Sequence, residues 1–229
     1  MKTNTKKKAF FGSISSDLAF VIASEFIKKG WIVEGTYRNE SDLTQNLKEK
    51  SVILHKLDFN SFTEIDNLIK DKKVASSWDF MMISPSMMGR TGNFSDIEWS
   101  SWVESFNLNS INQFKLIHSL LPRRNFTNSP MLWLWSGPGT NNAPKEHSAV
   151  VLAKIAQIKL VEILNEEYDD LIPFIVGPGW VKTKTHNEIL SMGPNAGYKY
   201  FQTKDRIENG KFTKIEKIVD FFNWILFQD

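Results

Sequence analysis

The chain predicts an α/β fold: a doubly wound parallel sheet in a single Rossmann-like domain, residues 1–229. Three observations predict it. Short apolar runs alternate with amphipathic segments along the whole length. A small-residue turn, Gly12-Ser-Ile-Ser-Ser-Asp-Leu-Ala19, separates the first apolar run from a helical one. Turn residues then close the later runs: Pro85 after 80–83, Gly137 after 131–135, and Gly177-Pro178-Gly179 after 172–176. Such alternation implies parallel strands joined by right-handed helical crossovers.

The opening stretch, Lys8 to Arg38, sets the pattern. A short apolar strand meets the Gly/Ser turn. Phe20, Ile22, Ala23, Phe26 and Ile27 recur at helical spacing until Gly30, and Ile32 and Val33 begin a second strand. This is a βαβ unit whose loop would present helix N-terminal N–H groups to a phosphate. Gly12 is the loop's one glycine, so the glycine fingerprint is degenerate. Val52 to Asp58 reads as a third strand, and Phe62, Ile65, Leu68 and Ile69 as the helix after it. Phe80 to Ile83 is a fourth strand, ended by Ser84-Pro85-Ser86 because proline cannot continue a central strand. One long helix is expected from about Asp96 to Leu121, closed by Pro122. A fifth strand at Met131–Trp135, a helix from Ala149 to Leu164 and a sixth strand at Ile172–Val176 follow. Lys184 to Phe212 reads as a polar loop, and Ile215 to Phe227 as a closing amphipathic helix.

Composition narrows the function. A chain of 229 residues can bury a substantial core, and 41% hydrophobic with 24% charged residues is ordinary for a soluble globular protein. A net charge of +2 gives no reason to invoke nucleic acid, and Lys6-Lys7-Lys8 reads as a solvated leader. With no cysteine there is neither a disulfide framework nor thiolate chemistry. The polar start is unlike a signal peptide and no apolar run is long enough for a bilayer, so a cytoplasmic protein without membrane partners is expected. No metal site is expected either.

In a doubly wound sheet ligands bind beyond the carboxyl ends of the strands, at the switch point. The residues after each strand are therefore the candidates: Gly12 to Leu18, Arg38, Asp58, Ser84 to Ser86, Ser136 to Gly139, and Gly177 to Thr185. With these pieces in order the chain resembles the short-chain dehydrogenase/reductases over nearly its whole length. Gly12, Ser13, Ser15, Ser16, Asp17 and Leu18 then stand in the nucleotide loop. Gly35-Thr-Tyr-Arg38 resembles the end of the second strand in NADP-preferring members, and Leu57-Asp58 the aspartate that hydrogen-bonds adenine. Asp79 to Ser86, with Ser84 and Pro85, occupies the place of the Asn-Asn-Ala-Gly run. Trp102 to Leu108 resembles the helix that carries the active-site asparagine, here Asn107, and Ala153-Lys154-Ile155-Ala156 the step after the catalytic tyrosine. The best match is Gly177 to Thr183, which puts Pro178, Gly179, Trp180, Val181 and Thr183 around the nicotinamide. The resemblance implies that Lys154 bonds the nicotinamide ribose and that Asn107 holds a water by bending its helix.

The departures bear on chemistry. The family tyrosine lies four residues before the lysine, which is Val150 here. The family serine lies about thirteen residues before that tyrosine, at Gly137, with Ser136 one step away. The usual Ser-Tyr-Lys chemistry cannot run as written. Divergent members, enoyl reductases among them, place the tyrosine seven residues before the lysine, and His147 stands there. A histidine can act as a general acid near neutral pH, and a neighbouring Lys154 ammonium would lower its pKa. Lys145 is a second ionisable group nearby, and Ser136 suits a bond to a substrate oxygen. The catalytic candidates are therefore Lys154, His147, Ser136 and Asn107. Each has a structural alternative: a polar loop histidine, a solvated lysine, a strand-end serine capping a loop, and a buried asparagine bonded to backbone.

For the cofactor, a guanidinium after the second strand suits the 2′-phosphate of NADP, and no acid stands beside Arg38 before Glu40, so NADP is preferred over NAD. Ser15 and Ser16 offer hydroxyls, while Asp17 either caps the helix or repels phosphate. Two alignments of the loop stay open. One uses Ala19 as the small third position and puts Ser13 where close backbone approach favours glycine; the other starts from Gly12.

The resemblance makes 184–212 a substrate loop. Its His186, Asn187, Tyr198, Lys199, Tyr200, Gln202, Lys204 and Arg206 suit a polar, anionic or sugar-like small molecule. Similar Gly-Pro-Gly-Trp-Val-Lys-Thr-Lys sequences point to bacterial surface-sugar, or polysaccharide, biosynthesis. The chain ends at Asp229 without the family's last strand, so the sheet is expected to be truncated there. A homodimer is expected through the helices carrying Asn107 and Lys154, with Phe114, Leu116, Val161 and Leu164 as apolar material. Three functions stay open: an NAD(P)-dependent oxidoreductase with a non-standard proton donor, a degenerate dinucleotide-binding sensor or partner subunit, and an epimerase or dehydratase using retained cofactor. Val150 and Gly137 favour the second; Lys154 with Gly179 to Thr183 favours keeping a nicotinamide, and the first is preferred.

Overall fold

Six strands carry the architecture: β1 (Lys8–Gly12), β2 (Ile32–Tyr37), β3 (Ile53–Lys56), β4 (Phe80–Ile83), β5 (Met131–Trp135) and β6 (Ile172–Val176). In the computed structural model, which describes residues 6–137, 139 and 143–227, they form one sheet in the order β3-β2-β1-β4-β5-β6. Every pairing is parallel. The chain leaves β1 for β2 on one side and later returns to β4 on the other, so the switch point lies between β1 and β4. β4, Phe-Met-Met-Ile, is buried at all four positions, as expected of a central parallel strand covered on both faces. β3 runs at the edge and is shorter than the 52–58 run suggested.

On one face Phe10, Ile83, Leu132 and Leu134 pack against Leu116, Ile117, Leu120, Val161 and Leu164. The other face is aromatic: Phe26 lies 4.6 Å from Phe80 and Trp133 4.6 Å from Phe174, between ring centroids. Leu116, Val161 and Leu164, expected as dimer material, are thus buried in the chain's own core. The apolar side chains that α4 (Trp99–Asn109) and α6 (Ser148–Glu167) expose are Trp99, Leu152, Ile155 and Ile163.

The crossovers differ from expectation in three places. The helix expected over 96–121 is two, α4 and α5 (Ile111–Leu120). Ser110 between them sits at φ −142°, ψ −78°, and its hydroxyl donates back to the Phe106 carbonyl. The buried Asn109 amide fixes the break, donating to Met87 O (2.7 Å) and Ser105 O (2.8 Å) and accepting from Met87 N (3.2 Å). A short helix after β2, α2 (Asp42–Glu49), carries a single apolar pair at helical spacing, Leu43 and Leu47; Ser41 and Thr44 close its first turn as a reciprocal cap. The segment read as a loop over 184–212 holds two helices, α7 (Lys184–Met192) and α8 (Tyr198–Glu208), joined by a 3₁₀ turn at Gly193–Ala196. The helices α1 (Asp17–Lys28), α3 (Phe62–Lys70) and α9 (Ile215–Leu226) follow the sequence pattern.

The chain divides into two compact units, with the boundary after Val176. Among the described residues no helix is long and apolar enough to cross a membrane.

Candidate functional site

The loop after β1 is built by packing. A Cβ on Gly12 would stand 2.9 Å from Ile83 Cδ1, so glycine lets the ends of β1 and β4 close up. A Cβ on Gly35 would meet Ile14 Cβ and Phe11 O, each at 2.8 Å, and Ile14 is wholly buried in the room this leaves. Ser13 adopts φ 66°, a left-handed conformation that costs a serine about 1 kcal/mol or more. Two hydrogen bonds hold it there: Ser13 N–H donates to Thr36 Oγ1 (2.9 Å) and Ile14 N–H to Thr36 O (2.8 Å). Ser84, after β4, ties the loop across the switch point. Its N–H and hydroxyl both reach Gly12 O, at 3.0 and 2.9 Å, and its Oγ lies 3.3 Å from Ser16 Oγ. Ser16 precedes α1 without a side-chain cap, and Asp17 begins the helix. Ser15 and Leu18 are half-buried.

Arg38 is exposed beyond β2 and makes no hydrogen bond or ion pair among the described residues. Glu40, two residues on, is occupied elsewhere. Lys48 and Tyr37 Oη, at 2.9 and 2.8 Å from its Oε1, hold its carboxyl down to about 2. Asp58 forms a local turn, accepting from Asn60 N–H (2.9 Å) while its own N–H donates to Glu64 Oε2 (2.8 Å).

A second cluster lies at the end of β5. Lys154, on α6, is 5% exposed. Its Nζ donates to Trp135 O (2.7 Å) and Gln157 Oε1 (3.0 Å), and burial lowers its pKa to about 8. A Cβ on Gly137 would stand 2.9 Å from Lys154 Cγ, so the missing side chain at 137 is what lets the lysine lie inward. Gln157 Nε2 donates to Asn109 O (2.9 Å) and Gln113 Oε1 (2.7 Å), and Gln113 Nε2 donates to Pro85 O and Leu108 O, both at 2.9 Å. Ser136, half-buried, donates its N–H to Val176 O (2.9 Å). Asn107 is half-buried in the last turn of α4, where its carbonyl accepts from Ser110 N–H (3.3 Å).

His147 is buried at the start of α6, with Nδ1 2.6 Å from Lys145 O. Seven helical residues put His147 and Lys154 on one face but about 10 Å apart along the axis. The lysine amine turns toward Gln157, one turn further on. Lys154 is buried, so the solvated-lysine alternative fails, whereas His147 stands just ahead of α6, as the loop-histidine alternative has it. Val150, between them, is also buried.

The glycine-rich stretch lies in the second unit. Gly179 has φ 71°, and a Cβ there would meet Thr213 Oγ1 at 2.8 Å. Trp180 O accepts from Thr213 N–H (2.8 Å), its ring stands 4.1 Å from that of His186, and the Arg206 guanidinium lies 5.7 Å from the Trp180 ring. Val181 is buried, Pro178 half-buried, and Thr183 caps α7 reciprocally with His186. Burial first, then Lys199, lowers the His186 pKa; burial first, then Arg206, lowers that of Lys199. Tyr198, Phe201, Gln202, Asp205, Arg206 and Lys211 line an open depression of about 420 Å³. Among the described residues no group of three or more His, Asp or Glu side chains could hold a metal.

The structure thus gathers the predicted residues into three sets: Gly12, Ser13, Ser16 and Ser84; Ser136 and Lys154; and Gly179 to Thr183. Sequence reasoning missed Thr36, Asn109, Gln113 and Gln157. The signal available was spacing, and for one pair: Lys154 and Gln157 are three apart on one face of α6.

The family model described as Enoyl-(Acyl carrier protein) reductase matches residues 12–226, and the chain belongs to this family of short-chain dehydrogenase/reductases. Solved structures are similar in fold. A short-chain dehydrogenase/reductase from Saccharomyces cerevisiae shares 16% identity at a TM-score of 0.79, covering 91% of this chain and 85% of its own. A short-chain dehydrogenase of Shigella flexneri complexed with NADP shares 18% at 0.71, covering 78% and 79%. One from Burkholderia multivorans with bound NADP shares 17% at 0.69, covering 78% and 81%. No curated protein matches the sequence.

Proposed function

We propose that the chain is an NAD(P)-dependent oxidoreductase, NADP-preferring, acting on a polar small molecule, with a surface-sugar derivative as the favoured class. One observation carries the reading: the Gly12–Ser16 loop brings the N-terminus of a twelve-residue helix to the β1/β4 switch point, where the first-turn N–H groups have no intrahelical acceptors. These residues fit a dinucleotide. The amides of Leu18 and Ala19 and the hydroxyls of Ser15 and Ser16 suit a pyrophosphate, and Asp58 lies at the end of β3 for adenine. Arg38 has its guanidinium available for a 2′-phosphate, and the neighbouring carboxylate that would oppose it is held by Lys48. The NADP complexes of the Shigella and Burkholderia structures support the same cofactor class.

When bound, the nicotinamide supplies or accepts a hydride. The chain's own residues bind and move the proton. Lys154 offers its amine to the ribose and Ser136 bonds a substrate oxygen. His147, whose Nδ1–H donates to Lys145 O, exchanges a proton at Nε2. Tyr198, Phe201 and Arg206 on α8 suit a sugar ring bearing negative charge. A homodimer through α4 and α6 would cover Trp99, Leu152, Ile155 and Ile163, and sedimentation at two concentrations tests it.

The test of the main reading is calorimetric titration with NADPH and NADH. Micromolar binding with NADPH preferred is expected; no binding of either by folded protein would overturn it. In that case the sensor or partner reading, favoured by Val150 and by the inward turn of Lys154, takes its place.

A further inference from the structure

We propose that Gln157, itself oriented by Gln113, is the positioning residue for Lys154, taking over the fixing of the lysine amine in a chain with valine at position 150. This rests on the dinucleotide reading for its purpose, but not for its geometry.

The available donors and acceptors fix how both amides are turned. A primary amide has one acceptor oxygen and one donor nitrogen, and rotating it by half a turn exchanges them. Gln113 Nε2 faces two backbone carbonyls, Pro85 O and Leu108 O, so its nitrogen must point there and its oxygen must face Gln157. Gln157 Nε2 then faces two acceptors, Asn109 O and Gln113 Oε1. Its oxygen has one direction left, toward Lys154 Nζ. The lysine completes the chain by donating to Trp135 O. The order of donors runs one way from Lys154 to Pro85, anchored by backbone carbonyls of β5, α4 and the loop after β4. Gln113 and Gln157 are 1% and 0% exposed, so water cannot substitute for a lost partner cheaply.

This network satisfies two donors of the amine. An ammonium has three, and the neutral amine has two donors and a lone pair. Either form keeps both bonds, and the third direction is left for an outside acceptor or donor such as a ribose hydroxyl. No carboxylate among the described residues pairs with Lys154, so Gln157 holds the amine in place without trapping it as a fixed ion pair.

The test reads the amine itself in ligand-free protein. Protein labelled with ¹³C-lysine is titrated by NMR, and the Lys154 Cε signal is identified by its loss in Lys154→Met. Gln157→Glu puts a carboxylate on the same atoms and should raise the Lys154 midpoint by about one unit or more, at least tenfold in proton affinity. Gln157→Leu should lower it, and Gln113→Leu, which frees the Gln157 amide to rotate, should lower it less. Unchanged midpoints in all three would overturn the proposal, as would an ordinary exposed-lysine titration in the wild type. If Gln157→Leu does not fold, Gln113→Leu decides. Failure of the wild type to bind NADPH would remove the dinucleotide reading without moving any of these midpoints.

Discussion

Removing the Lys154 amine should change the pH dependence of stability by an amount the structure sets. Burial lowers the lysine pKa from the ordinary 10.5 to about 8. At 1.36 kcal/mol per pKa unit, keeping this lysine protonated in the fold costs about 3 kcal/mol. The sign follows from the direction. Below pH 8 both folded and unfolded chains hold the proton, and the full cost is present. Between 8 and 10.5 the unfolded chain binds a proton that the fold has released, so stability rises with pH. By pH 10 about 2.5 kcal/mol of the cost is recovered. Lys154→Met has no such term, though it leaves Trp135 O and Gln157 Oε1 without a donor, a loss of about 1–3 kcal/mol each that does not depend on pH. The difference in unfolding free energy between wild type and variant should therefore move by about 2.5 kcal/mol in favour of the wild type from pH 7 to pH 10. Urea unfolding followed by tryptophan fluorescence at both pH values measures it, other titrating groups cancelling in the difference. A difference that stays constant would refute the reasoning, because it would mean that Lys154 titrates alike in both states.

Arg38→Ala should weaken NADPH binding about 10- to 100-fold and leave NADH binding nearly unchanged, since a charge-assisted pair is worth about 1.5–3 kcal/mol; calorimetry with both nucleotides checks it, and equal losses would remove Arg38 from the phosphate site. His147→Ala should abolish turnover while NADPH binding persists; unchanged rates would remove His147 as proton donor. Gly137→Ser should destabilise by about 1–3 kcal/mol through contact with the Lys154 stem, read as a lower urea midpoint. Ser41→Ala should cost about 1 kcal/mol by opening the first turn of α2.

How much of this was legible depended on what kind of force was acting. β4 and β5 match the runs Phe80–Ile83 and Met131–Trp135 because a buried parallel strand announces itself as uninterrupted apolar sequence. The family pieces are local, so Gly12 and Ser84 could be nominated as strand-end residues and Lys154 through the resemblance. What could not be read was how distant groups satisfy one another. The break at Ser110 is imposed by the Asn109 amide reaching Met87, twenty-two residues away. The helix at 42–49 rests on a polar cap, and α7 and α8 lack the apolar periodicity that marks a core helix. The inward pose of Lys154 needs Gly137, Trp135 and Gln157 at once, a coincidence in space that no single stretch encodes.

The fit of Lys154 beside Gly137 also makes the sequence of changes at this site consequential. With the lysine inward, the volume that a serine at 137 would fill is already taken by a methylene chain. Installing that serine first meets the lysine stem, whereas withdrawing the lysine first, by cutting its tie to Gln157, opens the space. The two positions are therefore epistatic, and the path back to the usual serine-tyrosine-lysine set begins at a glutamine that belongs to none of the three. A library that varies 137, 150 and 157 together should recover combinations that stepwise substitution at 137 and 150 alone would discard.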